Sequence, residues 1–155
     1  MKKYTVRFAH LVEIPDFRIN FQIVFGNCIG TMGSSGKSRF NHLHIDVVEN
    51  YVVKIIRLYE IGDYKKYKPS EKQLNFFIDD DLFKISPHVT TPYLDPEYKE
   101  ERGKDHHAID VVPIDRHSSK QHFPIHWNRS KLGHVLAVGN DPKGYGNYIL
   151  IGFGV

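Results

Sequence analysis

The chain of 155 residues holds one cysteine, one tryptophan and two methionines. With Cys28 alone, no intrachain disulfide can form and cysteine-based zinc motifs are excluded. Cys28 lies in an apolar run with Ile23, Val24, Phe25 and Ile29, which predicts a buried structural thiol rather than a nucleophile. No apolar stretch approaches the roughly 20 residues that span a bilayer, so no membrane partner is expected. The start, Met1-Lys2-Lys3-Tyr4-Thr5-Val6-Arg7, lacks the apolar core of a cleaved signal. Charge of one sign is also scarce: 21 Lys and Arg against 18 Asp and Glu leave +3. That excess is too small to select among polyanions. No Lys/Arg-rich stripe interleaved with aromatics appears, which argues against a nucleic-acid partner.

What is abundant is material for sheet. Aromatic residues make up 13% of the chain, and Val and Ile are plentiful, a composition that fits a pleated, half-buried surface. Strands are expected over 4–10, with Tyr4, Val6, Phe8 and His10 on one face, and over 19–25, 27–32, 41–48, 51–59, 108–112, 132–138 and 148–153. The last two flank a turn over 139–146. Ser70-Glu71-Lys72-Gln73 matches a capping box, with Leu74, Phe77 and Ile78 at helical spacing, so a single short helix is expected over 71–79. Pro87, Pro92 and Pro96 make 84–105 irregular, and 114–131 reads as loop. With no internal repeat or low-complexity linker, the fold class is a mostly-β single domain with an antiparallel sheet and that one helix.

Ten histidines are present, and their spacing carries the information. In His106-His107-Ala108-Ile109-Asp110, an extended strand sends His106 and Asp110 to one face with small Ala108 between them, while His107 and Ile109 point away. His42-Leu43-His44 likewise puts two imidazoles on one face. Taken singly, each pattern reads better as a surface or hydrogen-bonded group than as a metal site, the His-x-x-x-Asp spacing being the weaker signal of the two. Together, one histidine of the pair with His106 and Asp110 makes a two-histidine, one-carboxylate set that leaves a fourth tetrahedral position open, the catalytic rather than structural zinc arrangement. His88, His117, His122, His126 and His134 read as solvated, with His126 or His134 the nearest to a groove. Gly36-Lys37-Ser38 fails as a phosphate loop: the required first glycine falls at Thr31, and a strand rather than a helix follows.

Four segments together resemble the lysostaphin/LytM-type zinc endopeptidases, which cut peptide bonds in bacterial peptidoglycan. They are His-His-Ala-Ile-Asp (106–110), Gly-Tyr-Gly-Asn-Tyr-Ile-Leu-Ile (144–151), Arg-Phe-Ala-His-Leu (7–11), and the run from Ile29 through Gly33-Ser34-Ser35-Gly36 into His42-Leu43-His44-Ile45-Asp46-Val47. The order departs from the family, where the His-x-x-x-Asp block and the Tyr-Gly-Asn turn come first. Reading Ile149–Val155 straight into Lys3–Phe8 restores it. The resemblance therefore implies a circularly permuted domain over 1–155: the second half of the pattern in 1–47, a connecting segment in 48–100, and the first half in 101–155. Two assemblies are compatible with that order, one chain building the site alone as a monomer or two chains exchanging halves in a domain-swapped dimer.

By this resemblance His106, Asp110 and His44 bind Zn2+, and His42 and His10 are the catalytic histidines. One of them serves as general base on the zinc water and the other stabilises the oxyanion or positions the water, the two roles being interchangeable at this level. The glycines of loop 33–40 would let a peptide backbone approach closely. The implied partner is a bacterial peptidoglycan peptide. The N-terminal sequence, with no signal-like core, suits a phage-borne enzyme that acts at the bacterial cell wall, either within a virion tail among other tail proteins or released during lysis. The alternative is a non-catalytic wall-binding or structural tail module with the same fold, and a third reading, a metal-dependent nuclease, has the weakest sequence support.

Overall fold

Alternation of apolar and polar side chains dictates a sheet whose two faces differ, and the computed structural model, which describes residues 2–49, 68–115 and 122–155, is built on one. In chain order the elements are β1 (Lys3–Leu11), β2 (Gln22–Ile23), β3 (Cys28–Thr31), β4 (Leu43–Glu49), α1 (Glu71–Asn75), β5 (Pro87–Thr91), α2 (Pro96–Arg102), β6 (Ile109–Pro113), β7 (Pro124–His126), β8 (Gly133–Asp141) and β9 (Gly146–Gly154). Seven strands form one sheet in the order β2-β8-β9-β1-β4-β6-β5, and β3 pairs with β7 in a second, two-stranded sheet. Every pairing is antiparallel. The expected mostly-β architecture is what the chain adopts.

One face of the large sheet carries the main core. Tyr4, Val6 and Phe8 of β1, Leu43, Ile45 and Val47 of β4, and Ile149, Ile151 and Phe153 of β9 all enter it. Leu74 of α1 and Phe77 of the turn after it cover this core, as do Ile29, Ile125 and Trp127 from the smaller sheet and the residues after it. Phe77, Trp127 and Phe153 meet ring to ring at centroid separations of 5.4–5.8 Å. The opposite face holds a smaller apolar group of Ala9, Val48, Leu136, Tyr148 and Leu150, beside which lie the polar residues of the site.

Two expectations about the helices need correction. The capping interaction forms, with Ser70 Oγ accepting from the Gln73 amide at 3.4 Å. The Gln73 side chain, however, accepts from Arg129 (3.3 Å) instead of reaching back, because the Ser70 amide is already donated to Val47 O in β4. The helix ends at Asn75, and tighter turns carry Phe77 and Ile78. In the stretch read as irregular, Pro96 starts a helix rather than breaking one. Asp95 caps it by accepting from the Tyr98 amide, and Gly103, at φ 72°, closes it. Proline at the first helical position loses only an amide that has no partner there anyway.

Edge elements also differ from expectation. β5, inside the same stretch, is the outer strand of the sheet, where a leading proline is tolerated. The span 114–131 contains β7, and 19–25 contributes only the two residues of β2. The backbone leaves the strand region at Asn20 (φ 70°) and turns at Val24–Asn27, where Asn27 Oδ1 accepts from the Val24 amide. Cys28 is exposed: in β3 its neighbour Ile29 takes the inward position, so the buried thiol expected from the apolar run is not found. Strands β8 and β9 run further than expected, and the turn shrinks to 142–145, held by Asp141 accepting from the Gly144 and Tyr145 amides. The strand expected over 51–59 lies outside the described residues, as does His117.

Replacing Phe153 by alanine removes the ring that joins Trp127, Phe77 and Tyr4. We expect a loss of about 3–5 kcal/mol in denaturant unfolding, followed by the fluorescence of the single tryptophan. A loss under about 1 kcal/mol would show that this cluster does not anchor the sheet.

Candidate metal centre

The site stands where three strands meet in register. Ala9 of β1 lies opposite His44 of β4, and His44 lies opposite Asp110 of β6. Directly opposed residues share a face, so His44 and Asp110 project together on the side away from the main core. His44 Nδ1 is 3.1 Å from Asp110 Oδ1. His106, just before β6, is buried, and its Nε2 is 3.7 Å from Asp110 Oδ2. Its backbone is pinned by the Leu94 amide, and its Nδ1 donates to Pro92 O at 3.0 Å. The ring of Tyr98, from α2, packs 4.4 Å from the His106 ring.

One ligand atom each from His44, His106 and Asp110 lie within 4.8 Å of one another. Donors about 2 Å from a tetrahedral zinc stand roughly 3.3 Å apart, so the group needs only small side-chain adjustments to close on one cation. The second nitrogen of each imidazole is committed to an oxygen: His106 Nδ1 to Pro92 O, and His44 Nε2 to Asp46 Oδ2 at 3.2 Å. Such outer contacts fix ring orientation and tautomer in metal sites. Asp46 is itself gripped by Arg7, with Nε to Oδ1 at 3.2 Å and a terminal nitrogen to Oδ2 at 2.8 Å. The guanidinium lies 3.3 Å over the Tyr145 ring. Both members of this ion pair are fully buried.

His10 and His42 complete the cluster. Their rings are 4.8 Å apart, and His10 is 5.8 Å from the His44 ring. Regular alternation, which puts His10 on one face with Tyr4, Val6 and Phe8, would have turned it to the core, whereas the resemblance assigns it to the site. It faces the site, because β1 shifts register against β9 between Phe8 and Leu11 and His10 adopts φ 62°. A left-handed conformation at a non-glycine residue costs on the order of 1 kcal/mol. The bonds from its amide to Tyr145 O (2.8 Å) and from its Nδ1 to Ser35 O (2.7 Å) hold it there. His42 lies with Nδ1 near Phe40 O (2.9 Å) and Ser38 Oγ (3.2 Å), and its Nε2 is 3.9 Å from Asp110 Oδ1.

These side chains sit in an open cleft. Loop 36–42 and the turn 143–145 form one side, and α2 with the 104–108 segment forms another. Gly36 (φ 71°) and Gly146 (φ 63°) are required for the first wall. A Cβ on Gly36 would strike the Gly146 backbone, and one on Gly146 would strike Ser35.

Charge is distributed unevenly among the imidazoles. Burial, aided by the neighbouring His44, lowers His10 to about 4, so it is neutral at pH 7. Burial also lowers His106. For His44, burial opposes protonation, but the hydrogen bonds and charges of Asp110 and Asp46 overcome it and raise the group to about 9. Asp110 is lowered to about 2: burial works against ionisation, and the His44 bond outweighs it. Asp46 lies well below the usual carboxylate range, burial being outweighed chiefly by the Arg7 charge.

All five residues singled out in the sequence, His10, His42, His44, His106 and Asp110, are thus brought together within one chain. His126 and His134 are not on the cleft, whereas His88 of β5 lines it. His126 is turned instead to Leu82 O. His107 has Nδ1 3.4 Å from the Tyr93 hydroxyl and borders the cleft as well, although the alternation of an extended strand would turn it away. Sequence reasoning missed Arg7, Asp46, Tyr98 and Tyr145; His44-Ile45-Asp46 alternation was the one available signal, placing Asp46 on the His44 face. In comparisons with known proteins, no family model, curated protein or solved structure matches this chain.

In the metal-free chain, His44 contributes stability that is complete below its unfolded value near 6.5 and is lost as pH rises through about 9. Asp110 contributes stability present above 3.8 and lost as pH falls through about 2. The urea midpoint of chelator-treated protein should therefore fall between pH 6.5 and 9, and the fall should shrink in Asp110→Asn. A midpoint equally steep in both proteins would contradict this. A separate check is Arg7→Met, which leaves Asp46 buried without its cation and should cost about 3–5 kcal/mol. A cost below about 1 kcal/mol would contradict the pairing.

Proposed function

We propose that the chain is a zinc metallo-endopeptidase that hydrolyses peptide cross-links of bacterial peptidoglycan, with His106, Asp110 and His44 holding the metal. The single observation that carries this reading is the convergence of those three donors at one point of an open cleft, with two further histidines beside them. The donor chemistry fits zinc: two imidazole nitrogens and a carboxylate, with the second nitrogen of each ligand histidine held by an oxygen. When bound, zinc acidifies its water towards a pKa of about 7 and polarises a carbonyl.

The chain supplies the rest. His10 and His42 each direct Nδ1 at a backbone carbonyl, Ser35 O and Phe40 O, which leaves Nε2 for the cleft. An imidazole held this way takes a proton from an attacking water and, once protonated, donates to a developing oxyanion. Tyr98 and Tyr145 flank the ligands and limit their side-chain motion. The wall formed by loop 36–42 exposes Phe40 beside the cleft, a surface against which a peptide can lie.

The permuted order is supported by the sheet: β9 lies beside β1 with Lys3 opposite Gly154, and the Val155 amide is 3.2 Å from Lys2 O. A chain running directly from β9 into β1 would have the order of the lysostaphin/LytM-type motifs. The proposal extends to action at the cell wall, with the enzyme carried in a phage tail or released during lysis. A wall-binding or tail module without turnover would use the same cleft and is separated by the following test.

Purified protein loaded with zinc should lower the turbidity of isolated cell walls, and a chelator should stop it. His44→Ala and Asp110→Ala should lose the metal. His42→Ala should keep one zinc per chain while activity falls by about 10²–10⁴-fold. Folded His44→Ala with a full complement of zinc, or wall lysis indifferent to chelator, would overturn the reading. Zinc binding without any turnover would favour the non-catalytic module.

A further inference from the structure

The cleft is charged asymmetrically. Lys37 and Arg39 project from loop 36–42, and Lys143 from the β8–β9 turn. All three are exposed and line the same opening. The two backbones are joined, since the Lys37 amide donates to Gly144 O at 2.8 Å. They are also locked by the close approach of Gly36 to Gly146 and by Ser35 Oγ, which donates to Leu11 O and accepts from the Asn147 amide. This wall contributes no carboxylate to the cleft lining, and none of its three cations forms an ion pair among the described residues. Across the cleft, Arg102 and Lys104 are balanced by Glu101 and Asp105, the last already paired with Lys99 at 3.4 Å. The basic wall also abuts the metal ligands: Tyr145, two residues beyond Lys143, packs 5.5 Å from the His44 ring and its carbonyl accepts the His10 amide.

We propose that Lys37 and Lys143, with Arg39, form a carboxylate-binding wall, so that the peptide this cleft prefers carries a free carboxylate beside the scissile bond and is not a neutral chain such as a glycine bridge. The inference rests on the reading of the cleft as a peptide-cleaving site and specifies its substrate class. The joined, glycine-locked backbones place the two cations on one wall, while each lysine side chain still loses rotamer freedom when it meets an anion. Because they are exposed, each contributes modestly and is screened by salt.

The test uses chelator-treated full-length protein, so that hydrolysis plays no part. Two labelled tetrapeptides of mixed L- and D-residues are compared by fluorescence anisotropy, one with a free side-chain carboxylate and one with that group amidated. The acid should bind about three- to tenfold more tightly than the amide, and the preference should shrink with added salt. Lys37→Gln combined with Lys143→Gln should abolish the preference, whereas Lys131→Gln, at an exposed position off the cleft, should retain it. Equal affinity for acid and amide, at any strength, overturns the proposal, as does a preference that survives the double substitution. A single-stranded oligonucleotide that displaces the acid peptide at lower concentration than the peptide itself also overturns it, assigning the wall to nucleic acid. Wall cleavage without acid preference defeats this inference alone; acid preference without any wall cleavage defeats the enzymatic reading and leaves the carboxylate wall standing.

Discussion

The antiparallel register that sets Ala9 opposite His44, and His44 opposite Asp110, is the constraint on which the site depends. Side chains alternate strictly along a strand, so a slip of one residue would exchange faces. His44 and Asp46 would enter the apolar core, and Leu43 and Ile45 would take their places in the cleft. The register is enforced from the other side. Leu43, Ile45 and Val47 are almost completely buried against Phe8, Val6 and their neighbours. The core therefore fixes the geometry of the polar face without touching it.

That polar face carries an electrostatic burden which the fold offsets locally. Arg7 and Asp46 are both withdrawn from water, a costly step that their paired hydrogen bonds and the Tyr145 ring compensate. Such a pair stabilises little compared with an apolar replacement, but it specifies geometry. Asp46 has one oxygen on Arg7 and His44 together, so the orientation of the His44 ring is tied through it to β1. Through Tyr145 the same tie reaches the β8–β9 turn. His106 is oriented differently, by a backbone carbonyl of the segment that leads into α2. The two imidazoles consequently face one carboxylate from independent supports.

Much of this was legible in the sequence because it depends on period-two alternation. The strands that became β1, β4, β6, β8 and β9, the shared face of His42 and His44, and that of His106 and Asp110 follow from that rule. What was not legible broke it or depended on distant partners. The place of His10 in the site comes from the family resemblance alone, since the positive φ and register shift that bring it there have no local signal such as a glycine. Pro96, like Pro87 and Pro92, signals irregular chain by itself, yet Asp95-Pro96 supplies the cap and first-turn residues of a helix. The apolar neighbours of Cys28 suggest burial, whereas its exposure follows from which side of a two-residue alternation faces the core. The Arg7–Asp46 pair spans 39 positions.

The central claim is that residues far apart in the chain hold one divalent cation. X-ray absorption at the zinc edge, on protein loaded with a single equivalent, measures this directly. The account predicts a light-atom shell with two imidazole contributions at about 2.0–2.1 Å and carboxylate oxygen at a similar distance, the imidazole scattering falling by half in His106→Ala. A shell of oxygens alone, or a spectrum unchanged by that substitution, would contradict it.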